Sequence, residues 1–243
     1  MTEYGPKILT SGLILALDAA NSKSYSNSSV NWHDLTGNWN DGILTNGPVF
    51  STSNNGVISF DGLNDYLAGS TTLASNINDQ LTLISTVRVV DLTQRCVIFS
   101  KYQGSTPYGY VLEIGTLGGY MTKSLRFYAQ GTSANSCDYR GTDTLIDNQI
   151  YIITVTFNTT SQKVKMYYNN IVMSATQASD MLTGSDWSQG TNKFSLASYL
   201  PVYSIGGPIL IYNTYLYNRE LSADEISQNY NALKSRFNLS WVN

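Results

Sequence analysis

The sequence has few charged side chains, and this scarcity excludes one class of partner. Lys, Arg, Asp and Glu together make up 13% of the 243 residues, and the formal net charge is −3. A protein that follows a phosphate backbone needs a concentrated set of basic side chains, which this chain does not have. We therefore expect no nucleic-acid partner.

Long apolar runs are also missing. The apolar segment 12–20 is too short to cross a bilayer and contains Asp18. Residues 1–7 have no basic region followed by the apolar stretch of a secretion signal. We therefore expect no membrane partner, and a soluble protein that is made without a cleaved signal.

Cysteine and histidine are scarce. Cys96 and Cys137 are the two cysteines, and His33 is the single histidine. The thiols could pair or remain free, and the missing secretion signal favours free thiols. One histidine and two separated cysteines do not make a zinc site.

Short runs of apolar and β-branched residues make up most of the chain. The segment 125–130 alternates apolar and polar residues, as half-buried strands do. Asn169 and Asn170 separate two such runs and predict a hairpin turn. Residues 174–192 are polar, and we interpret them as a loop. Many short strands with little helix predict an all-β sandwich of two antiparallel sheets.

One short helix is predicted near the C-terminus, after a strand at 208–212 and a polar turn. Ser222 followed by Glu225 forms a capping box, which places a helix N-terminus there. Apolar residues then recur on one helix face at Ile226, Tyr230, Leu233 and Phe237. We expect this stripe to close an open end of the sandwich.

Five segments carry a family resemblance: 12–19, 32–38, 60–66, 167–170 and 217–226. The second reads Trp-His-Asp-Leu-Thr-Gly-Asn and the third reads Phe-Asp-Gly-Leu-Asn-Asp-Tyr. In this order they resemble the laminin-G-like domains of the concanavalin A-like lectin/glucanase superfamily. The resemblance covers nearly the whole chain and implies a two-sheet antiparallel jelly-roll sandwich with one short C-terminal helix.

The resemblance also implies a domain organisation and a setting. It implies a single β-sandwich domain at 11–243. The polar residues 1–10, with Gly5-Pro6, predict an N-terminal arm that is either a disordered terminus or a tether to a partner. A single domain without a secretion signal that ends Asn-Tyr-Asn-Ala-Leu-Lys-Ser-Arg-Phe at 229–237 resembles modules of tailed-phage structural proteins. This similarity implies a virion protein for capsid decoration or fibre association, whose arm contacts the major capsid protein, a fibre protein or another subunit of a homo-oligomer.

An enzyme is the alternative interpretation, because the resemblance includes glucanases of the same superfamily. Glucanases of the superfamily carry their carboxylates on one strand as Glu-x-Asp-x-x-Glu, so that the carboxylates share a face. Here Glu113 stands alone in its strand, and Asp138, Asp143 and Asp147 are spread along the chain. His33 has no accompanying nucleophile motif. The sequence favours a protein without catalytic residues, and a glycoside hydrolase with an unusual site is the weakest alternative.

Calcium is the one cofactor that the resemblance suggests, because related domains often hold Ca²⁺ on a rim with oxygen ligands. For each candidate ligand, the sequence favours the alternative that the side chain caps a turn. The candidates are Asp61, Asn64 and Asp65, then Asp138, Asp143 and Asp147, and finally Asp180 and Asp186.

Aromatic residues in predicted loops are the candidate ligand-binding residues, since aromatic rings stack on the apolar faces of sugars. They could equally cap the sandwich ends or lie at subunit contacts. The candidates are Tyr102, Tyr108, Tyr139, Trp187, Tyr199 and Tyr203. We therefore expect recognition of surface glycans or assembly with virion proteins, and the alternative is a free carbohydrate-binding lectin that depends on calcium.

Overall fold

The computed structural model describes residues 6–73, 77, 79–102, 109–131, 136–179, 187, 192–199 and 206–239. Within these residues, strands dominate and one α-helix follows them. The strands are β1 (Leu13–Asp18), β2 (Asn31–Trp32), β3 (Gly42–Thr45), β4 (Val49–Ser51), β5 (Val57–Phe60), β6 (Tyr66–Gly69), β7 (Gln80–Val89), β8 (Cys96–Ser100), β9 (Gly109–Leu117), β10 (Met121–Gln130), β11 (Ser136–Gly141), β12 (Ile150–Asn158), β13 (Lys163–Tyr168), β14 (Ile171–Val172), β15 (Ala175–Ser179), β16 (Ser195–Leu196) and β17 (Ile209–Tyr217). The helix is α1 (Ala223–Lys234), and a 3₁₀ turn at Ser235–Phe237 extends it.

The described strands form two antiparallel sheets, which confirms the predicted fold class of a two-sheet sandwich with one C-terminal helix. The eight-stranded sheet has the order β14-β13-β12-β7-β17-β5-β4, and β1 pairs with the second half of β17. The nine-stranded sheet has the order β15-β11-β10-β9-β8-β16-β6-β3-β2. In the described part of the chain, no helix is both long and apolar enough to cross a membrane.

The main hydrophobic core lies between the two sheets, because successive side chains of a strand point to opposite faces. In β10, Leu125, Phe127 and Ala129 face this core and are fully buried, whereas Arg126 and Tyr128 lie on the opposite face. One face of β12 also lies in this core and consists of Tyr151, Ile153, Val155 and Phe157.

A second apolar cluster lies on the other side of the eight-stranded sheet. The stripe of α1 packs against outward-facing residues of that sheet, so the helix forms a third layer and does not close an open end as predicted. The outward-facing positions need this cover because they are apolar or aromatic. The sheet residues include Ile84, Ile152, Tyr212, Tyr215 and Tyr217.

Two strands differ from their predicted extent. β17 continues to Tyr217 through Asn213 and Thr214, where a turn was predicted, because an irregularity between Ile211 and Asn213 keeps the pairing with β7. Ala175–Ser179 forms β15, although 174–192 was interpreted as a loop. β15 is an exposed edge strand that pairs only with β11, so its side chains carry no burial pattern to identify it.

The hairpin predicted at Asn169 and Asn170 is confirmed. Both residues have positive φ angles, 47° and 67°, as a two-residue turn between twisted strands requires.

Part of the predicted N-terminal arm (1–10) packs on its own domain. The Leu9 backbone N–H donates to Asn229 Oδ1 at 2.9 Å, and the Tyr217 hydroxyl donates to the Leu9 carbonyl at 2.9 Å. The segment therefore extends the layer that α1 forms on the eight-stranded sheet. Residues 1–5 lie outside the described part of the chain.

The two cysteines are free and buried. Cys96 lies on β8 and Cys137 on β11, and two strands separate them, a span of about 14 Å at the usual strand spacing. This separation is too large for a disulfide. Burial raises the pKa of both thiols to about 12, so both are protonated at neutral pH.

The predicted capping box is confirmed at the start of α1. Ser222 Oγ accepts the Glu225 backbone N–H, and the Glu225 carboxylate accepts the Ser222 backbone N–H. Arg219 also donates to both carboxylate oxygens at 2.8 Å. These hydrogen bonds, with that from Arg219 the strongest, lower the pKa of Glu225 to about 2.

We expect Glu225→Gln to destabilise the protein in a pH-dependent way, because it removes the charge that pairs with Arg219. The folded-state pKa of Glu225 is about 2 and its ordinary value is 4.5. The ionised carboxylate therefore stabilises the fold above pH 4.5, and this contribution is lost as the pH falls toward 2. Thermal unfolding by circular dichroism should show a melting-temperature deficit at pH 7 that closes as the pH falls below 4.5.

Ser222→Ala is the matched control, because it removes an uncharged cap and should cost about 1 kcal/mol. Because the serine hydroxyl does not ionise in this pH range, the stability that Ser222→Ala loses with it should not change with pH. A Glu225→Gln deficit of the same size at pH 7 and pH 2.5 would contradict the role given to the charge.

Candidate functional site

Five charged side chains meet on the outer face of the nine-stranded sheet, opposite the core. We call this set the ion cluster. It consists of Arg95, Glu113, Arg126, Asp138 and Arg140. Four of its members come from β9, β10 and β11, and Arg95 directly precedes β8.

Strand register brings these residues together. Arg126 lies directly opposite Glu113 on β9 and Arg140 on β11, while Tyr128 lies opposite Asp138. The inward neighbours of Arg126 are core residues, so the alternation along β10 holds its guanidinium group on the outer face. The core and the ion cluster therefore depend on the same register.

Arg126 is the centre of the ion cluster, because it bonds both carboxylates at once. Its Nη1 lies 3.1 Å from Glu113 Oε2, and its Nε and Nη2 lie 2.8 and 3.0 Å from the two oxygens of Asp138. Arg140 Nη2 lies 2.7 Å from Asp138, and Arg95 Nε lies 3.2 Å from Glu113 Oε1. The Glu113 side chain has no exposed surface.

The charges of the ion cluster stabilise each other. Burial by itself would raise the pKa of Asp138, but the hydrogen bonds and charges of Arg126 and Arg140 outweigh burial and lower it. Burial would lower the pKa of Arg126, and its bonds to Asp138 and Glu113 raise it instead. Both groups are therefore ionised at neutral pH.

This geometry does not suit two-carboxylate hydrolysis of a glycosidic bond. In that chemistry the scissile bond lies between the two carboxyl groups, and one of them supplies a proton. Here the guanidinium group of Arg126 bonds to both Glu113 and Asp138, and Asp138 is held ionised. The ion cluster supplies fixed charge and hydrogen-bond donors.

Three tyrosines border the ion cluster, and with Gln130 we call them the tyrosine rim. The Tyr102 and Tyr128 hydroxyls both donate to Gln130 Oε1, at 3.1 and 2.8 Å. Tyr199 donates to Glu113 and accepts from Arg95 at 3.1 Å. Tyr199 thus bonds the tyrosine rim directly to the ion cluster.

Ring contacts complete the tyrosine rim. The Tyr102 ring meets Tyr128 and Tyr199 edge to face, with centroids 5.5 and 6.2 Å away. The Arg126 guanidinium carbon lies 4.8 Å from the Tyr128 ring centroid. Tyr102 and Tyr128 are half-buried, so each keeps some surface for a ligand.

The predicted ligand-binding residues have different fates. Tyr102 and Tyr199 meet in the tyrosine rim, whereas Tyr139 packs against the core and its hydroxyl donates to Gln177 at 2.8 Å. The prediction that Trp187 contacts a ligand is corrected. Its side chain is fully buried against Phe157 and Tyr110, so it presents no exposed ring face. Tyr108 and Tyr203 lie outside the described residues.

The sequence reasoning missed most of the site. A signal was present, because β10 alternates apolar and polar residues, Glu113 lies between two apolar residues of β9, and a Gly-Gly turn connects the two strands. Pairing these two strands would have placed their polar residues on one face. The missed residues are Arg95, Arg126, Tyr128, Gln130 and Arg140, and Glu113 was considered only as a catalytic residue.

The first group of calcium candidates forms a turn. The Asp61 carboxylate accepts the backbone N–H groups of Leu63, Asn64 and Asp65, which lower the pKa of Asp61. Asp65 Oδ2 accepts the Asp61 N–H at 3.0 Å, and burial raises the pKa of Asp65. These contacts are those of turn-capping side chains.

The other calcium candidates also have protein partners. Asp138 belongs to the ion cluster, Asp143 accepts the Ser174 N–H at 3.0 Å, and Asp147 binds Lys123. Asp180 and Asp186 lie outside the described residues. Over the described ranges, no group of three acidic, histidine or cysteine side chains is placed to hold a metal ion.

Solved structures with a similar fold include toxin binding domains and a sialidase. Neither protein-family models nor curated protein sequences match the chain. The binding domain of Paraclostridial Mosquitocidal Protein 1 matches with a TM-score of 0.67 and 15% identity, over 91% of this chain and 52% of that chain. The binding domain of botulinum neurotoxin DC in complex with SialylT matches with a TM-score of 0.63 and 12% identity, over 92% and 52%.

A mutant of Trypanosoma rangeli sialidase displaying trans-sialidase activity also matches, with a TM-score of 0.62 and 15% identity, over 95% of this chain and 34% of that chain. The chain therefore spans about half the length of these toxin binding domains and a third of the sialidase. At these identities the likeness establishes the β-sandwich fold.

We expect Arg126→Leu to lower the free energy of unfolding by about 3 kcal/mol, because it removes the shared partner of two buried carboxylates. Arg140→Gln is the control, since Arg126 still binds both carboxylates and the loss should be about 1 kcal/mol. Urea denaturation followed by fluorescence measures both. Equal losses would show that Arg126 is not the centre of the ion cluster.

Proposed function

We propose that this protein is a non-enzymatic recognition module that binds glycans at the tyrosine rim. The observation that carries the proposal is the attachment of this rim to the ion cluster. Tyrosine rings and fixed hydrogen-bonding groups lie together on the outer face of the nine-stranded sheet.

The chemistry of this surface suits a sugar. A pyranose ring has an apolar face that packs on an aromatic ring, and hydroxyl groups that both donate and accept hydrogen bonds. Tyr102 and Tyr128 offer rings, and Gln130 offers an amide. Because these groups are held by bonds to one another, little conformational freedom is lost on binding.

The ion cluster supports binding in preference to catalysis. Its two carboxylates are neutralised by three arginines, and Arg126 bridges them. A related fold was solved in complex with SialylT, which supports a glycan as the class of ligand. That toxin domain is 12% identical to this chain, so the sugar itself has to be found by experiment.

The setting that we propose is the virion of a tailed phage, with the chain as a laminin-G-like capsid-decoration or fibre-associated protein. The five segments with the laminin-G-like pattern support it, as does the similarity to phage structural modules. A glycan-binding module on a particle would attach it to glycosylated surfaces.

We expect Tyr102→Ala to weaken glycan binding about tenfold or more, a loss of about 1.4 kcal/mol, because it removes a ring and its bond to Gln130. The measurement is a printed glycan array, followed by titration calorimetry with the glycan that the wild-type protein binds best. Tyr66→Ala is the matched control, since Tyr66 is a partly exposed tyrosine at the start of β6, outside the tyrosine rim and the ion cluster.

The array should give the same result with and without a chelator, since the carboxylates of the described calcium candidates bond to protein groups. Binding that a chelator abolishes would favour the calcium-dependent lectin instead. The proposal would be refuted if the wild-type protein bound no glycan. Release of reducing sugar from a glycan would instead support the glycoside hydrolase alternative.

The virion setting has its own test. Mass spectrometry of purified particles from a culture that expresses the chain should detect it at a stoichiometric level. Its absence from the particles would refute the setting and leave glycan binding to be judged by the array.

A further inference from the structure

We infer that Trp39 forms a second sugar-contact position, so that the glycan recognised is an extended oligosaccharide. This inference rests on the proposed function and adds the size of the ligand to it. Trp39 lies in the loop between β2 and β3, the two strands at one edge of the nine-stranded sheet.

Trp39 has an exposed ring and a strained backbone conformation, and packing in the core explains neither. Its side chain is 79% exposed, the largest value among the large apolar residues that the structure describes. Its φ angle is 59°, in the left-handed region that disfavours any residue with a Cβ atom. Glycine would satisfy this backbone without strain, so the ring needs another reason to be there.

The loop that carries Trp39 is held by hydrogen bonds on both sides. Asp34 accepts the Asn40 backbone N–H at 3.2 Å and the Ala16 N–H at 2.9 Å. The Asn40 side chain donates to the Ile14 carbonyl at 2.7 Å, and Ser70 Oγ donates to the Trp39 carbonyl at 3.1 Å. The exposed ring is therefore presented from a fixed backbone.

Register places Trp39 at the same end of the sheet as the tyrosine rim. One row of directly opposed residues crosses the sheet: Ile43, Ala68, Ser195, Ser100, Val111 and Tyr128. Trp39 precedes the start of β3 and Tyr102 follows the end of β8, and these two strand ends lie on the same side of the row. β3 and β8 are three strand spacings apart, about 14 Å, which a short oligosaccharide spans.

The surroundings of Trp39 favour a sugar over a lipid surface. Its chain neighbours are Asn38 and Asn40, and the chain has no Lys or Arg at any position from 24 to 87. An interfacial anchor on an anionic bilayer depends on such cations. A single ring among amide and hydroxyl groups matches one pyranose face with its hydroxyls.

The test compares Trp39→Gly with Leu63→Ala. The first removes the ring and leaves the residue that this φ angle prefers, so its melting temperature should equal that of the wild-type protein. The second is the matched control, because Leu63 is 78% exposed and lies before β6, at the opposite end of the sheet. The probes are the glycan that the wild-type protein binds best on the array and its fragments, shortened one sugar at a time.

We expect Trp39→Gly to bind the full glycan at least tenfold more weakly than the wild-type protein and Leu63→Ala do. The difference should vanish for fragments too short to reach from the tyrosine rim to Trp39. Equal affinity of Trp39→Gly and wild type for the full glycan would overturn the inference, as would an equal loss for every fragment or a lower melting temperature.

These outcomes separate the inference from the proposed function. A wild-type protein that binds no array glycan refutes both. Binding that Tyr102→Ala abolishes and Trp39→Gly leaves unchanged refutes the second position alone, and the glycan-binding role at the tyrosine rim stands.

Discussion

The register of β9, β10 and β11 is the constraint on which the core and the candidate site both depend. Phe127 faces the core, and Arg126, the next residue toward the N-terminus, joins two carboxylates on the opposite face. A slip of one residue would bury the guanidinium group in the core and expose the ring. The packing that stabilises the sandwich therefore also assembles the ion cluster, with no separate element needed to position it.

The two outer faces of the sandwich differ in the polarity of their side chains and in what covers them. The outer face of the eight-stranded sheet carries tyrosines and isoleucines, and α1 with the segment around Leu9 covers it. The outer face of the nine-stranded sheet carries charged and polar groups at β9 to β11 instead. Polar groups that are already bonded to one another do not need a covering helix, and in the described part of the chain no helix covers this face.

The ion cluster explains how such a face can be rigid. A buried ion network contributes little net stability, because removing charges from water offsets much of their mutual attraction. Its geometry, however, fixes Arg126 from both sides and holds Tyr199 against Glu113. Trp39 is likewise held in a fixed position without adding stability, since its ring is exposed and its backbone is left-handed.

The sequence by itself determined the fold class, the capping box at Ser222 and the hairpin at Asn169 and Asn170. These features are local, since each follows from residues a few positions apart or from alternation within one strand. Tertiary structure alone decided that the stripe of α1 covers a sheet face, that Trp187 is buried, and that Glu113, Arg126 and Asp138 meet. Those outcomes depend on which strands pair and in what register, and that is set by burial summed over both sheets.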